Sequence, residues 1–158
     1  MVRERTRNVK RQAGFSMIEL MVVIAMIGIL AALATPMFMS YWRTSTTSAA
    51  AAELASSLNR ARQLAIASNQ NYCAEVSGTS LRYRSNATAG CGGGATWVGT
   101  GTRSDGTMPL ANRVTVSGGP VVFTSLGAAA LAGTFTVTNP NSGTRSVVVS
   151  ASGRVTVQ

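Results

Sequence analysis

An uninterrupted apolar run near the amino terminus constrains this chain more than any other feature. Residues 15–34 contain a single charged side chain, Glu19. In a helix with a rise of about 1.5 Å per residue, this run spans about 30 Å, which matches the hydrocarbon layer of a bilayer. We therefore expect a membrane-crossing helix at the start of the chain.

The apolar run is preceded by a short basic segment. Residues 1–14 hold five basic side chains and one acidic side chain, a net charge of +4 out of the +9 of the whole chain. Basic flanks of a membrane helix stay on the cytoplasmic side. Much of the positive charge is thus explained by membrane topology, which weakens a nucleic-acid-binding interpretation of the composition.

A cleaved secretory signal peptide is the competing interpretation of this segment. Ala32-Leu33-Ala34 offers a small-x-small cleavage site that leaves Thr35 at the mature terminus. Glu19 argues against it, because a carboxylate in a membrane helix costs about 3 kcal/mol and a conventional signal peptide gains nothing from it. The apolar character also continues beyond this site, in Met37, Phe38, Met39, Tyr41 and Trp42. These five residues predict either an interfacial belt or a contact between subunits.

A specific pattern stands at the start of the run: Gly14 closes the basic segment, Phe15 follows, and Glu19 is four residues further on. Together with the uninterrupted apolar helix, it resembles the prepilin signal of type IV pilins and type II secretion pseudopilins. The resemblance implies that prepilin peptidase cuts after Gly14 and methylates the amine of Phe15. It also implies that Glu19 of one subunit pairs with the Phe15 amine of its neighbour, since an unpaired buried charge is costly.

Gly28 and Pro36 lie where such subunits carry a glycine and a proline. For Gly28, close helix packing and local melting of the helix during assembly are both open interpretations. For Pro36 we expect a kink.

The next segment has the periodicity of an amphipathic helix. Small and apolar residues recur at three- and four-residue steps, which predicts a stripe that packs on a head domain. Its members are Ala51, Leu54, Leu58, Ala61 and Ala65. The polar cluster at residues 68–71 predicts the end of the helix.

After residue 71 the pattern changes to short alternating runs between turn residues, which predicts β-strands joined as hairpins. The predicted strands are 72–76, 80–84, 97–98, 113–116, 120–124, 134–138, 145–150 and 154–157. The predicted fold class is α+β, a long N-terminal helix packed on an antiparallel β-sheet head.

Cys73 and Cys91 are the two cysteines of the chain. If the head is exported, they can form a disulfide in an oxidising compartment, and two buried, unpaired thiols are the alternative. With no histidine in the sequence, there is no set of zinc ligands. The glycines at 92–94 do not open a helix after a strand, so a phosphate-binding loop is not expected.

The carboxy-terminal part contains a Phe-x-x-x-Gly turn at Phe123 to Gly127, a Thr-rich strand, and the sequence Ser-Ala-Ser-Gly-Arg before a last strand. These features resemble the end of the GspH/FimT group of minor pseudopilins and minor pilins. Some members of that group bind DNA through a Gly-Arg-x-Arg pattern. Here Gly153 and Arg154 match its first half, and Thr156 replaces the second arginine.

DNA capture is therefore an alternative function rather than the leading one. Its candidate contacts are Arg145 and Arg154, and further head arginines are available for phosphate contact. These are Arg82, Arg84, Arg103 and Arg113.

We expect a structural subunit and not an enzyme, because the head has no histidine and no nucleophile with its base. The expected parts are a leader (1–14), a transmembrane and assembly helix (15–36), an amphipathic helix (37–70) and a β-rich periplasmic head (71–158). The resemblance implies a minor subunit of a type II secretion pseudopilus or a type IV pilus. It is stored in the bacterial inner membrane as a single-pass protein with a cytoplasmic amino terminus, and then enters the filament. The implied partners are prepilin peptidase, other subunits and the inner-membrane assembly platform; no cofactor or metal is expected.

Overall fold

The computed structural model describes residues 14–110, 114–140 and 143–158. The chain divides into two compact units, one up to Met39 and the other from Ser40 to Gln158. Helix α1 (Met17–Ser68) supplies residues to both units. Residues 1–13 of the leader, which hold its basic cluster, lie outside the described residues, as does Arg113.

In the first unit, every described side chain of α1 is exposed. This part of the helix is long and apolar enough to cross a membrane, judged by length and composition. The helix continues through Pro36, whose ring nitrogen has no hydrogen to donate to the carbonyl one turn earlier. Nearby, the Thr35 hydroxyl donates to the carbonyl of Ala31 at 2.7 Å.

In the second unit, one face of α1 is buried. The predicted stripe is confirmed, and Thr47 and Ala50 extend it towards the amino terminus. Four of its members are alanines, which favour helix and let other elements approach the backbone closely. The helix ends at Ser68 as predicted, with Asn69 in the left-handed conformation (φ 52°). The amide of Gln70 donates to the carbonyl of Ala65, and the amide of Asn69 to that of Ile66, which forms a Schellman cap.

The described residues after the helix form ten short strands. These are β1 (Tyr72–Ser77), β2 (Ser80–Ser85), β3 (Ala95–Thr96), β4 (Thr107–Pro109), β5 (Thr115–Gly118), β6 (Val121–Phe123), β7 (Ala129–Leu131), β8 (Gly133–Asn139), β9 (Gly143–Val149) and β10 (Val155–Val157). Sheet A has the order β3-β2-β1-β6-β7, and β4 pairs with β2 beside β3. Sheet B has the order β10-β9-β8-β5. All of these pairings are antiparallel.

A single hydrophobic cluster joins the helix stripe to the inner faces of both sheets. Sheet A contributes Tyr83 and Phe123, and sheet B contributes Phe135, all fully buried. On the opposite face of sheet A, a smaller cluster forms around Cys73 and Val122. The head therefore has one main core and a second, local one.

The α+β class, a long N-terminal helix packed on antiparallel strands, is confirmed, and the strands form two sheets. The strand expected at Trp97–Val98 is wrong, since β3 lies two residues earlier. Strands β4 and β7 were not predicted. Each has three residues, too few for an alternating pattern to be recognised. The hairpins β1–β2, β8–β9 and β9–β10 are confirmed.

Candidate functional site

The start of α1 holds the residues that resemble the prepilin junction. Gly14 and Phe15 precede the helix, and the Phe15 side chain is 83% exposed. A Cβ added to Gly14 meets no described atom within 4 Å. This junction therefore lies before α1, with no described atom packed against Gly14.

Glu19 lies in the first turn of α1, and its side chain is exposed. Its amide donates to the carbonyl of Ser16 at 3.1 Å. A carboxylate in this turn interacts favourably with the helix dipole. No other charged residue follows in α1 until Arg43. Between described residues, Glu19 forms no ion pair, whereas Arg82 and Arg84 both pair with Glu75.

Gly28 lies inside the helix, where a Cβ would meet no described atom within 4 Å. The described residues therefore impose no steric need for a glycine at this position. A requirement for Gly28 would come from close packing against a further helix or from local melting of α1, the two interpretations of the sequence.

The structure joins Cys73 and Cys91 in a disulfide, with Cα atoms 5.4 Å apart and a sequence separation of 18. Cys73 is fully buried on β1, and Cys91 ends a 3₁₀ turn, Ala89–Cys91. The bond holds the glycine-rich segment against the outer face of sheet A, where Ala87 and Val122 complete the local cluster. The two cysteines are therefore bonded, and the alternative of two unpaired thiols is wrong.

A second contact, which was not predicted from the sequence, joins α1 to the loop that follows the glycine-rich segment. The Arg60 guanidinium lies 5.3 Å from the centre of the Trp97 ring. Trp97 packs on Tyr83 with ring centres 5.8 Å apart. The Tyr83 hydroxyl donates to the carbonyl of Ser57 at 2.6 Å. Burial raises the pKa of Tyr83 to about 12, although the side chain of Ser57 and the charge of Arg60 act in the opposite direction.

The same loop contains one of the few head carboxylates, Asp105. Its Oδ1 accepts hydrogen bonds from the hydroxyl and the amide of Thr107, at 2.6 and 3.0 Å. These bonds lower the pKa of the exposed carboxyl group. Asp105 therefore shapes the turn before β4.

The candidate DNA contacts are not brought together. Arg145 lies near the start of β9, whereas the carbonyl of Arg154 accepts a hydrogen bond from Ser150, just past the end of that strand. At about 3.4 Å per residue, five residues of strand separate the two backbones by about 17 Å.

Two further arginines are engaged on the outer face of sheet A. Arg84 Nε lies 3.1 Å from Glu75 Oε1, and Arg82 lies 3.7 Å from the same oxygen. The sequence signal for this group of three charged residues was the alternating pattern of β1 and β2 on either side of their tight turn, which places Glu75 directly opposite Arg82. Among the described head arginines, these two are therefore partly neutralised.

Models of two protein families match the sequence. Type II transport protein GspH matches residues 50–153, and the prokaryotic N-terminal methylation motif matches residues 9–35. A fimbrial protein of Pseudomonas aeruginosa is 31% identical over 116 residues, which cover 72% of this chain and 75% of that protein. The type IV major alpha-pilin of Moraxella bovis is 54% identical over 44 residues, 28% of each chain.

Two solved structures share the fold. The type IV minor pilin FimU of Pseudomonas aeruginosa superimposes with a TM-score of 0.52 at 18% identity, covering 72% of this chain and 89% of FimU. The minor pseudopilin EpsH from the type 2 secretion system of Vibrio cholerae gives a TM-score of 0.53 at 14% identity, with 71% and 95% coverage.

Proposed function

Since this chain belongs to the family of type II transport protein GspH, whose members are pilin-type structural subunits, we propose that it is processed by prepilin peptidase and assembled through α1. Cleavage falls between Gly14 and Phe15, and the new amine of Phe15 is methylated. The observation that carries this proposal is the methylation-motif match over residues 9–35, which spans the exposed junction and Glu19.

Glu19 is the second part of the proposal. Its carboxylate is the sole charge of an exposed apolar helix segment, so inside a membrane or a bundle of helices it needs a cation. Cleavage creates one, the amine of Phe15. Pairing between Glu19 of one subunit and Phe15 of the next sets the stagger of neighbouring subunits along the filament.

Before assembly, the subunit is stored in the bacterial inner membrane with its amino terminus in the cytoplasm and its head in the periplasm. The basic leader and the apolar run support this orientation. The partners are then the peptidase, the assembly platform and other subunits. The domain boundaries expected from the sequence, at residues 14, 36 and 70, belong to this proposal.

We do not propose DNA uptake. Arg145 lies near the start of β9, Arg154 lies beside the end of that strand, and Arg82 and Arg84 share Glu75. No observation favours DNA over the subunit role.

The test is expression of the full chain with prepilin peptidase and the other subunits of its own assembly machinery. We expect mass spectrometry of the wild-type protein to show an amino terminus at methylated Phe15. Glu19→Gln removes the charge with little change in shape, and should be cleaved normally yet be lost from sheared filaments. Glu19→Asp keeps the charge and should be incorporated better than Glu19→Gln. A terminus at Thr35 contradicts the processing, and wild-type incorporation of Glu19→Gln contradicts the pairing.

A further inference from the structure

A short amphipathic segment of α1 lies between the apolar part of the helix and the part covered by the head. Tyr41 and Trp42 are 74% and 61% exposed, and Arg43 is exposed beside them. Each ring combines an apolar body with one polar group, a hydroxyl or an indole N–H. Rings of this kind are enriched at the boundary between membrane and water.

The position of the segment along the helix agrees with such a boundary. If the hydrocarbon layer begins at Met17, about 20 helical residues cross its ~30 Å and reach Pro36. Tyr41 lies five residues further, about 8 Å along the axis. A bilayer measures about 40–45 Å including its headgroups, so each headgroup layer is about 5–8 Å thick. Tyr41 therefore lies at the outer edge of this layer, with Trp42 and Arg43 one and two residues beyond it. Because helical side chains tilt towards the amino terminus, their ends reach back into the headgroup layer.

The residue types along this segment change from apolar to polar, as the surroundings change from hydrocarbon to water. Residues 37–39 are Met, Phe and Met, then come the two amphipathic rings and the cation of Arg43, and residues 44–48 are all Ser or Thr. Among the described residues, ion pairs engage Arg82 and Arg84 rather than Arg43, so its guanidinium is available to an outside anion. A lipid phosphate is an anion at the required depth.

The head leaves this segment uncovered. Along α1, Thr47 is the first buried residue, and residues 41–45 are exposed. A surface that served for helix packing would be expected to carry small residues instead of two large rings and a cation.

We propose that Tyr41, Trp42 and Arg43 bind the outer headgroup layer of the inner membrane while the subunit is stored. The two rings lie among the headgroups, and Arg43 contacts lipid phosphate. This inference rests on the membrane storage of the proposed function and adds a lipid-binding site to it.

The sequence offers a clean test because it contains two tryptophans, Trp42 and Trp97. The full chain is reconstituted into vesicles of phosphatidylcholine and phosphatidylglycerol that carry bromine either near the headgroup or near the end of the acyl chain. Trp97→Phe leaves Trp42 as the fluorophore, and Trp42→Phe leaves Trp97 as the matched control. Flotation with the vesicles is measured first.

We expect Trp42 emission to be blue-shifted and to lose most of its intensity with bromine near the headgroup, and Trp97 to be little affected. A protein that floats but shows no quenching of Trp42, or stronger quenching by deep bromine, overturns the lipid site while leaving membrane storage intact. Failure to float contradicts the proposed function itself.

A second pair of variants isolates the cation. In the Trp97→Phe background, Arg43→Gln should weaken the headgroup-side quenching of Trp42, whereas Arg103→Gln, which changes a head-loop arginine, should not. Equal quenching in both variants removes Arg43 from the site.

Discussion

At the scale of single residues, the turn after β9 depends on a glycine for two separate reasons. Gly153 has φ +78°, a conformation that side chains rarely adopt, and a Cβ there would overlap the backbone of Gly127. Gly127 lies in the Phe123 to Gly127 turn between β6 and β7, so the contact ties a turn of sheet A to a turn of sheet B. The amide of Ala129 strengthens the tie by donating to the carbonyl of Ala151 at 3.0 Å.

Gly153→Ala is expected to destabilise the head more than its φ alone requires. The matched control is Gly78→Ala in the β1–β2 turn, where φ is +61° and no described atom is within 4 Å of an added Cβ. We expect the control to lower the free energy of unfolding by about 1–2 kcal/mol through backbone strain. Gly153→Ala should cost a further ~1–3 kcal/mol, because the two turns must separate. Denaturant unfolding of both variants measures the difference, and equal losses contradict the tie.

Turn residues predicted the turns at Gly78 and Gly153, because Gly beside Ser between strands is a local signal. The turn at Gly127 was part of the resemblance to the GspH/FimT group. The sequence did not predict that Gly127 and Gly153 meet, since that contact joins distant parts of the chain. The same distinction applies to Cys73 and Cys91. Their chemistry limited the possibilities to a bond or two thiols, and the packing of the loop on sheet A decided between them.

At the scale of elements, α1 and β2 are joined through one tyrosine. Tyr83 is fully buried, and its hydroxyl reaches the carbonyl of Ser57 on the helix. The periodicity of α1 was sufficient to predict which helix residues face the sheets. The alternating pattern of β2 predicts which of its residues face the helix. It does not predict the hydrogen bond of the Tyr83 hydroxyl, because that bond depends on how closely the alanine stripe lets the helix approach the sheet.

Tyr83→Phe should change both stability and its pH dependence. Below pH ~10 we expect a loss of about 1 kcal/mol from the missing hydrogen bond. Burial raises the pKa of Tyr83 to about 12 in the folded head, above the ordinary value of about 10. The unfolded chain thus ionises first, and wild-type stability should fall as the pH rises from about 10 through 12.

Unfolding curves between neutral pH and pH ~12 test this expectation. The alkaline fall should be reduced in Tyr83→Phe. Tyr41→Phe, which changes an exposed tyrosine far from the core, is the matched control and should retain the wild-type profile. An unchanged alkaline profile in Tyr83→Phe contradicts the role of this hydroxyl.

At the scale of the whole molecule, the two units depend on different surroundings. The described part of α1 before Ser40 exposes its apolar side chains, whereas the head has its own core and a disulfide. The α+β class and the two parts of the helix could be predicted from the period and length of the hydrophobic runs. The division of the strands into two sheets could not be predicted, because alternating runs specify which face of a strand is buried but not which strands pair.

Removal of the disulfide tests how the head depends on an oxidising compartment. The double variant Cys73→Ala, Cys91→Ala should lose about 3 kcal/mol of unfolding free energy, because the bond closes a loop in the unfolded chain. With reductant present during unfolding, the wild-type protein should fall to a similar value while the variant is unchanged. Equal stability of the two proteins without reductant contradicts a stabilising bond.

The exposed apolar part of α1 also bears on the energetics of filament growth. Lipid tails and the side chains of neighbouring helices are similarly apolar, so the transfer of this helix between them involves little change in hydrophobic free energy. In the proposed assembly, the direction of transfer would then depend on the remaining contributions, such as close packing beside Gly28 and the proposed pairing of Glu19. A subunit balanced in this way would return to the bilayer at little cost in hydrophobic free energy, which would make the proposed assembly reversible.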